Sequence, residues 1–235
     1  MFGKKGPSFF ELMEQAWSGT AEGYDLLAPK FEATPFCTPP AVVERALEDL
    51  GAVRAAVDLC CGTGVALGPL AKLAQERVVG VDFSRGMLDE ARKKVAALPR
   101  RPEIELVEHD VLSFERSGAF DLATCFGALG HITREEEPRF LEAIRKLLRP
   151  GGRFVFVTTD HPKPWSRQKI VGELFNAAMH VRNAVKKPPF VMYYLTFLLP
   201  DIERHLKWHG FDVTVTRDIF APPYTPLARV VATRR

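Results

Sequence analysis

The chain has 235 residues, 46% hydrophobic and 26% charged, with a net charge of +3 and four cysteines. That profile suits one large globular domain, or one domain with a substantial insertion, and excludes a low-complexity or highly charged disordered chain. Cys37, Cys60, Cys61 and Cys125 fit neither a disulfide framework nor a zinc spacing, no apolar run is long enough to span a bilayer, and "MFGKKGPSFFELMEQAW" lacks a signal-peptide core, so a cytoplasmic protein without a membrane span is expected.

In chain order, apolar β-rich runs alternate with helical patterns. A helical arm comes first, around "FFELMEQAW" and the aromatic stretch "YDLLAPKF". Pro39 and Pro40 then open the helix "AVVERALEDL". Next come strand "VRAAVDL" and helix "VALGPLAKLAQ", then strand "RVVGVDF" and helix "RGMLDEARKKVAAL" with Ser84 at its N-cap. Strands "IELVEHDV" and "FDLATCFGAL" follow, then helix "EEPRFLEAIRKLL", stopped by "RPGG" before strand "RFVFVTT". Helix "DIERHLKWH" and the strands "FDVTVTR" and "ARVVATR" end the chain. Short, nearly continuous apolar strands separated by helices predict a doubly wound α/β sheet, mostly parallel and covered on both faces. The last two strands lack a helix between them and predict an antiparallel hairpin.

These boundaries divide the chain into an arm (1–38), an α/β core (39–160), a helical lid insertion (161–200), and a C-terminal helix and strands that complete the sheet (201–235). Arm and insertion both have the means to close over a pocket at the carboxyl ends of the strands. Within the insertion, "PPFVMYYLTFLL" reads either as a buried lid helix or as the wall of a pocket for an apolar substrate. Residues 161–235 hold twelve Lys/Arg against five Asp/Glu. That basic surface is a solvated face, or one that meets an acidic substrate or a membrane surface.

The stretch "VDLCCGTG" carries the chemistry. A strand ends at Asp58, and Gly62 and Gly64 turn the chain toward a helix, which lets backbone approach a ligand and exposes free N–H groups. A dinucleotide site would continue to a third glycine, but that position is Leu67, and no Gly-Lys-Ser/Thr follows for a phosphate loop. Asp82 ends the next strand, eighteen residues after Gly64. An ionised carboxylate there offers two acceptor oxygens to a ribose diol.

Taken together, "VDLCCGTG", "VVGVDFSRGML", "EHDVLSF", "FDLATCFGALGHI" and "LRPGGRFVF" resemble the class I S-adenosylmethionine-dependent methyltransferases, nearest to small-molecule enzymes of the ubiquinone-biosynthesis type. The resemblance covers about residues 40–160. It implies a seven-stranded Rossmann-like sheet and S-adenosylmethionine as cofactor. It also implies roles. Asp58 would lie near the cofactor's amino-acid end, while Gly62 and Gly64 would make room for its approach. Asp82 would hold the ribose, Phe83 and Met87 would pack on adenine, and Asp110 and the Val111 N–H would meet its amino group. Cys125 and Phe126 would line the methionine portion. Cys60, where the family commonly has glycine, and Cys61 are read as small residues in a crowded turn beside the cofactor.

Methyl transfer needs alignment above all, and a base where the acceptor is a hydroxyl or an acidic carbon. Candidates on the acceptor side are His131 and Tyr24, with His161 as a further base and Tyr193 or Tyr194 to position substrate. "PPY" at 222–224 is displaced from where nucleic-acid amino-methylases carry such a motif, and reads as a rigid loop. The expected reaction is methyl transfer to O, N or C of a small molecule, apolar or aromatic, with no metal and no nucleic-acid partner. The rivals are an RNA or protein methyltransferase, a nicotinamide-dependent oxidoreductase and a non-catalytic cofactor-binding module. The sequence leaves the oligomeric state open.

Overall fold

Seven strands form one sheet in the order β3-β2-β1-β4-β5-β7-β6. They are β1 (Val53–Leu59), β2 (Ala74–Asp82), β3 (Glu103–Glu108), β4 (Phe120–Thr124), β5 (Leu148–Thr158), β6 (Phe211–Thr216) and β7 (Ala228–Arg234). The computed structural model describes residues 6–98 and 102–235. Residues 1–5 of the expected arm lie outside the described residues. The first five strands pair in parallel, while β7 runs antiparallel to both β5 and β6. The predicted doubly wound sheet with a final antiparallel hairpin is the fold observed.

The helices are α1 (Phe9–Trp17), α2 (Thr20–Leu27), α3 (Pro40–Leu47), α4 (Leu67–Leu73), α5 (Arg85–Val95), α6 (Glu137–Leu147), α7 (Arg167–Val185) and α8 (Asp201–Trp208). Along β1, Ala55, Val57 and Leu59 face one apolar layer, with Phe140, Ile144 and Leu206 from α6 and α8. Ala56 and Val53 face the other, with Val43 and Leu70 from α3 and α4. Burial on both faces is why these strands read as apolar runs instead of alternating. Each fully buried phenylalanine, Phe120 and Phe154 among them, contributes about 1.5–3 kcal/mol.

Two local expectations are refined. Helix α4 is short, because β2 already begins at Ala74. "RPGG" is not a plain turn: it bulges inside β5, where Leu148 and Arg153 pair with Phe120 and Leu122 of β4. Gly151, at φ +77°, lets the chain make that excursion.

A third cluster of Tyr24, Ala28, Met87, Met179 and Phe190 joins the arm and the insertion to the core. The insertion leaves and rejoins the sheet at one point, where Asp160 bridges Leu199 and the Leu199 N–H donates to the Thr159 carbonyl at 3.0 Å. Its last third, residues 188–200, is not a helix. Pro188 and Pro189 supply no N–H, and Leu195 and Phe197 hold φ of +62° and +53°. Other elements satisfy its backbone. Tyr193 N–H donates to Gly130 O at 2.8 Å, Val191 N–H to Thr20 Oγ1 at 2.8 Å and Tyr194 N–H to Asn176 Oδ1 at 2.8 Å.

Candidate active site

The site starts where β1 and β2 end side by side. After Leu59 the backbone turns through Cys60 at φ +54°, Gly62 at +53° and Gly64 at +81°. A side chain at Gly64 would strike Leu67 and Ala91 at 2.9 and 3.2 Å, so this glycine lets the turn press against α5. Gly62 instead faces the cleft. Its N–H donates to Asp82 Oδ2 at 2.8 Å, and Ser84 N–H donates to Asp82 Oδ1 at 2.9 Å. Burial pushes the Asp82 carboxyl up to about 6 despite these two donors. Asp58 is buried deeper, with Thr124 Oγ1 donating to its Oδ1 at 2.6 Å, and burial pushes it up to about 7.

The arm is latched over this turn. Asp25 of α2 accepts from Ser84 Oγ at 2.6 Å and from Gly86 N–H at 2.8 Å, both at the start of α5. A carboxylate at a helix N-terminus also meets the favourable end of the helix dipole. Glu32 accepts from Thr63 Oγ1 at 2.9 Å and pairs with Lys94. Phe31 approaches Gly62 closely, 4.0 Å from where a Cβ would stand. Between arm and strand ends lies a narrow cleft of about 60 Å³, lined by Phe31, Phe36, Cys60, Asp82, Phe83 and Met87 among others.

Tyr24 and His131 stand between this cleft and a larger one. His131 Nδ1 faces the Val191 carbonyl, which only accepts, so Nδ1 carries the hydrogen. Nε2 is therefore bare and accepts from the Tyr24 hydroxyl at 2.8 Å. Burial lowers the His131 pKa and raises that of Tyr24 well above the usual phenol range, keeping both neutral. Phe190 stacks on Tyr24 with centroids 6.0 Å apart.

Beyond the pair opens a chamber of about 780 Å³, also lined by Tyr24, Phe36 and His131. Its far walls come from the insertion (Val171, Met192, Tyr193, Tyr194, Leu195) and from Tyr224 and Leu227 before β7. Two glycines permit this closeness. A Cβ at Gly127 would lie 2.7 Å from Thr38 Oγ1, and one at Gly130 would lie 2.6 Å from the Tyr193 carbonyl.

Residues 56–152 match the family described as methyltransferase domain. That stretch, from β1 into β5, is therefore similar to methyltransferase domains. A demethylmenaquinone methyltransferase of Symbiobacterium thermophilum is 33% identical over 176 residues, covering 74% of this chain and 59% of that protein. A 2-phytyl-1,4-naphtoquinone methyltransferase of Trichormus variabilis is 33% identical over 109 residues, covering 45% of this chain and 47% of that protein. The chain spans about half the length of the curated relatives it matches. Among solved structures, a DhpI–SAM–HEP complex superposes with a TM-score of 0.66 at 18% identity, over 96% of this chain and 99% of that one, which establishes the shared fold.

The structure brings Cys60, Gly62, Asp82, Phe83, Met87 and Phe126 together on the narrow cleft, with Tyr24 and His131. Other expected residues stand back from its lining. Asp58 acts on Thr124, and Gly64 packs on α5. Cys125 is buried in the core beside Cys60, and this neighbour together with burial raises the Cys60 thiol pKa. Asp110 is exposed beyond the end of β3 and accepts from Leu112 N–H at 2.9 Å, while Val111 is core. His161 pairs with Asp201 at 2.8 Å on the surface, outside the chamber lining. All four cysteines are free. Among the described residues no cluster of three His, Cys, Asp or Glu could hold a metal, and no helix is long and apolar enough to cross a membrane. Sequence reading missed Asp25, Glu32, Phe31 and Tyr224. Only the aromatic content of "YDLLAPKF" and the tyrosine of "PPY" hinted at them.

Proposed function

We propose that the chain is an S-adenosylmethionine-dependent methyltransferase acting on O, N or C of a small, largely apolar or aromatic acceptor. The observation that carries this reading is the hydrogen-bonded Tyr24–His131 pair, which lines both the Asp82 cleft and the apolar chamber. The two quinone-type relatives support an apolar ring as acceptor.

Asp82 is the ribose-binding carboxylate, since its oxygens keep lone pairs beyond those used by Gly62 and Ser84. Phe83 and Met87 are the apolar surface for adenine, with Asp110 and the Val111 N–H at its outer rim. Cys60, Gly62 and Phe126 flank the path toward the chamber; Asp58, Gly64 and Cys125 support the turn from behind. When bound, the cofactor supplies a sulfonium-activated methyl. The cleft is narrow between the arm and the strand ends, so Phe31 and Phe36 of the arm move aside to admit the cofactor. The arm at 1–38 is thus a gate, and the insertion at 161–200 is the acceptor's wall.

An acceptor with an O–H or acidic C–H must shed a proton. Tyr24 Oη takes it while passing its own proton to His131 Nε2, and the Nδ1–H stays on Val191 O. Such a positioned relay typically contributes about 10²–10⁴-fold. Four free thiols suit a reducing cytoplasmic setting.

The test is incubation with methyl-labelled S-adenosylmethionine and cell extract, followed by separation of organic-soluble material, RNA and protein. Label in the organic or small-molecule fraction, absent with Asp82→Ala, is expected. Label confined to RNA or protein overturns the small-molecule acceptor, and no transfer despite cofactor binding leaves a binding module.

A further inference from the structure

Helix α1 is built inside out. Phe9, Phe10, Met13 and Trp17 share one helical stripe and are all exposed, while Gln15 on the other side is buried at 4% exposure. Glu11 and Glu14 lie off that stripe. Helix α7 repeats the pattern. Ile170, Leu174, Val181 and Val185 fall within one stripe along its 19 residues and are exposed, with Val171 at its edge, whereas only Gly172 and Met179 are buried. Trp165, 90% exposed, precedes the helix. The two helices meet at their C-terminal ends, where the Arg182 guanidinium donates to the carbonyls of Ala16, Trp17 and Ser18 at 2.9, 2.7 and 2.6 Å.

Contiguous apolar stripes of this size call for an occupant. Charge indicates which. Lys163 and Arg167 stand at the start of α7 and Lys186 and Lys187 at its end, and none of the four makes an ion pair among the described residues. The one acid on α7, Glu173, is paired with Lys169 at 3.7 Å. Two copies docked through α7 would set cation against cation in either orientation. An anionic surface would offset every one of these charges while the stripe is buried.

We propose that the α1–α7 face docks on an anionic lipid bilayer, with both helices in the plane of the headgroups. Exposed apolar residues with tryptophans and flanking cations are the physical requirement for such binding. The chamber opens at the same place: Arg167, Gln168, Val171 and Gly172, at the start of α7, form part of its lining. An apolar acceptor thus passes from the bilayer to the Tyr24–His131 pair without crossing water. The docking rests on the surface alone; only this delivery step rests on the methyltransferase reading.

Flotation of the full chain with vesicles tests it, using phosphatidylcholine alone and phosphatidylcholine mixed with phosphatidylglycerol. Binding to the mixed vesicles with a blue shift of tryptophan emission is expected, and little binding to phosphatidylcholine alone. Phe10→Asp and Leu174→Asp should each weaken binding about tenfold. Lys186→Glu with Lys187→Glu should weaken it at least about tenfold, more so at low salt. Circular dichroism and S-adenosylhomocysteine titration of each variant should match the parent. Failure of the parent to float with either vesicle, or flotation unchanged by the Asp variants, overturns the proposal. So does a solution dimer that Leu174→Asp dissolves, which would make this face a self-interface. Loss of the titration in the parent would instead sink the methyltransferase reading and leave the docking result standing.

Discussion

The two halves of the site are built on different principles. On the cofactor side, the ligand-facing groups are fixed by backbone. Asp82 is held by the Gly62 and Ser84 N–H groups, and the turn that carries Gly62 is pressed onto α5 through Gly64. On the acceptor side, the walls are side chains from two segments outside the sheet alternation. They are held by a few long-range bonds, such as Val191 to Thr20 and Tyr193 to Gly130. Backbone-built sites tolerate little change and recognise what is common to every turnover. Side-chain walls on latched segments can be reshaped without disturbing the sheet. Under the proposed function, cofactor recognition belongs to the core and acceptor choice to the arm and insertion.

The sharpest way to break this division is Asp82→Ala. It leaves the buried Ser84 N–H and the half-buried Gly62 N–H without their acceptor and removes the proposed ribose contact. Cofactor affinity should fall at least about 100-fold, with about 2–4 kcal/mol of lost stability. Calorimetric titration and denaturant unfolding check both. Next come His131→Ala and Tyr24→Phe. Each should lower kcat about 10²–10⁴-fold for an acceptor that loses a proton, with cofactor affinity changed far less. Equal losses in kcat and in cofactor binding would mean that the pair serves the cofactor side instead.

A smaller effect is expected from pH. The Asp82 pKa in the folded chain, about 6, is raised from 3.8 by burial. A raised carboxyl favours its protonated form, so its contribution to stability is fully present below pH 4 and is lost as pH rises through 6. Binding runs the other way, because the ionised carboxylate is the better acceptor for ribose hydroxyls. S-Adenosylhomocysteine affinity should therefore improve as pH rises through about 6, and Asp82→Asn should flatten that rise. The smallest expected effect belongs to the latch. Asp25→Asn weakens its hold on Ser84 and Gly86 and should speed cofactor entry and release several-fold with Kd little changed, readable by stopped-flow fluorescence.

The same division governs what the sequence disclosed. The succession of strands along the chain and the glycine turn were legible because both are local: apolar runs of strand length, and glycines where φ is positive. Asp82 was legible because its distance from Gly64 is set by one β-α-β unit. The arm's contacts were not. Asp25 meets Ser84 across 59 positions, and nothing in either residue's neighbourhood announces the other. The segment 188–200 was ambiguous because its apolar content suits a helix, while its prolines and its reliance on Thr20, Gly130 and Asn176 impose an extended path. Asp110 illustrates the reverse case. Its position in the motif was clear, yet its side chain turns to the Leu112 N–H at the rim.

The central claim is that the strand-end turn and Asp82 form a site for S-adenosylmethionine. Isothermal titration of S-adenosylhomocysteine against the parent and Asp82→Ala, with circular dichroism on both, tests it most directly. One site per chain in the parent and loss of binding in a variant that retains its fold are expected. Parent-like binding by the folded variant, or no binding by the parent at all, would contradict it.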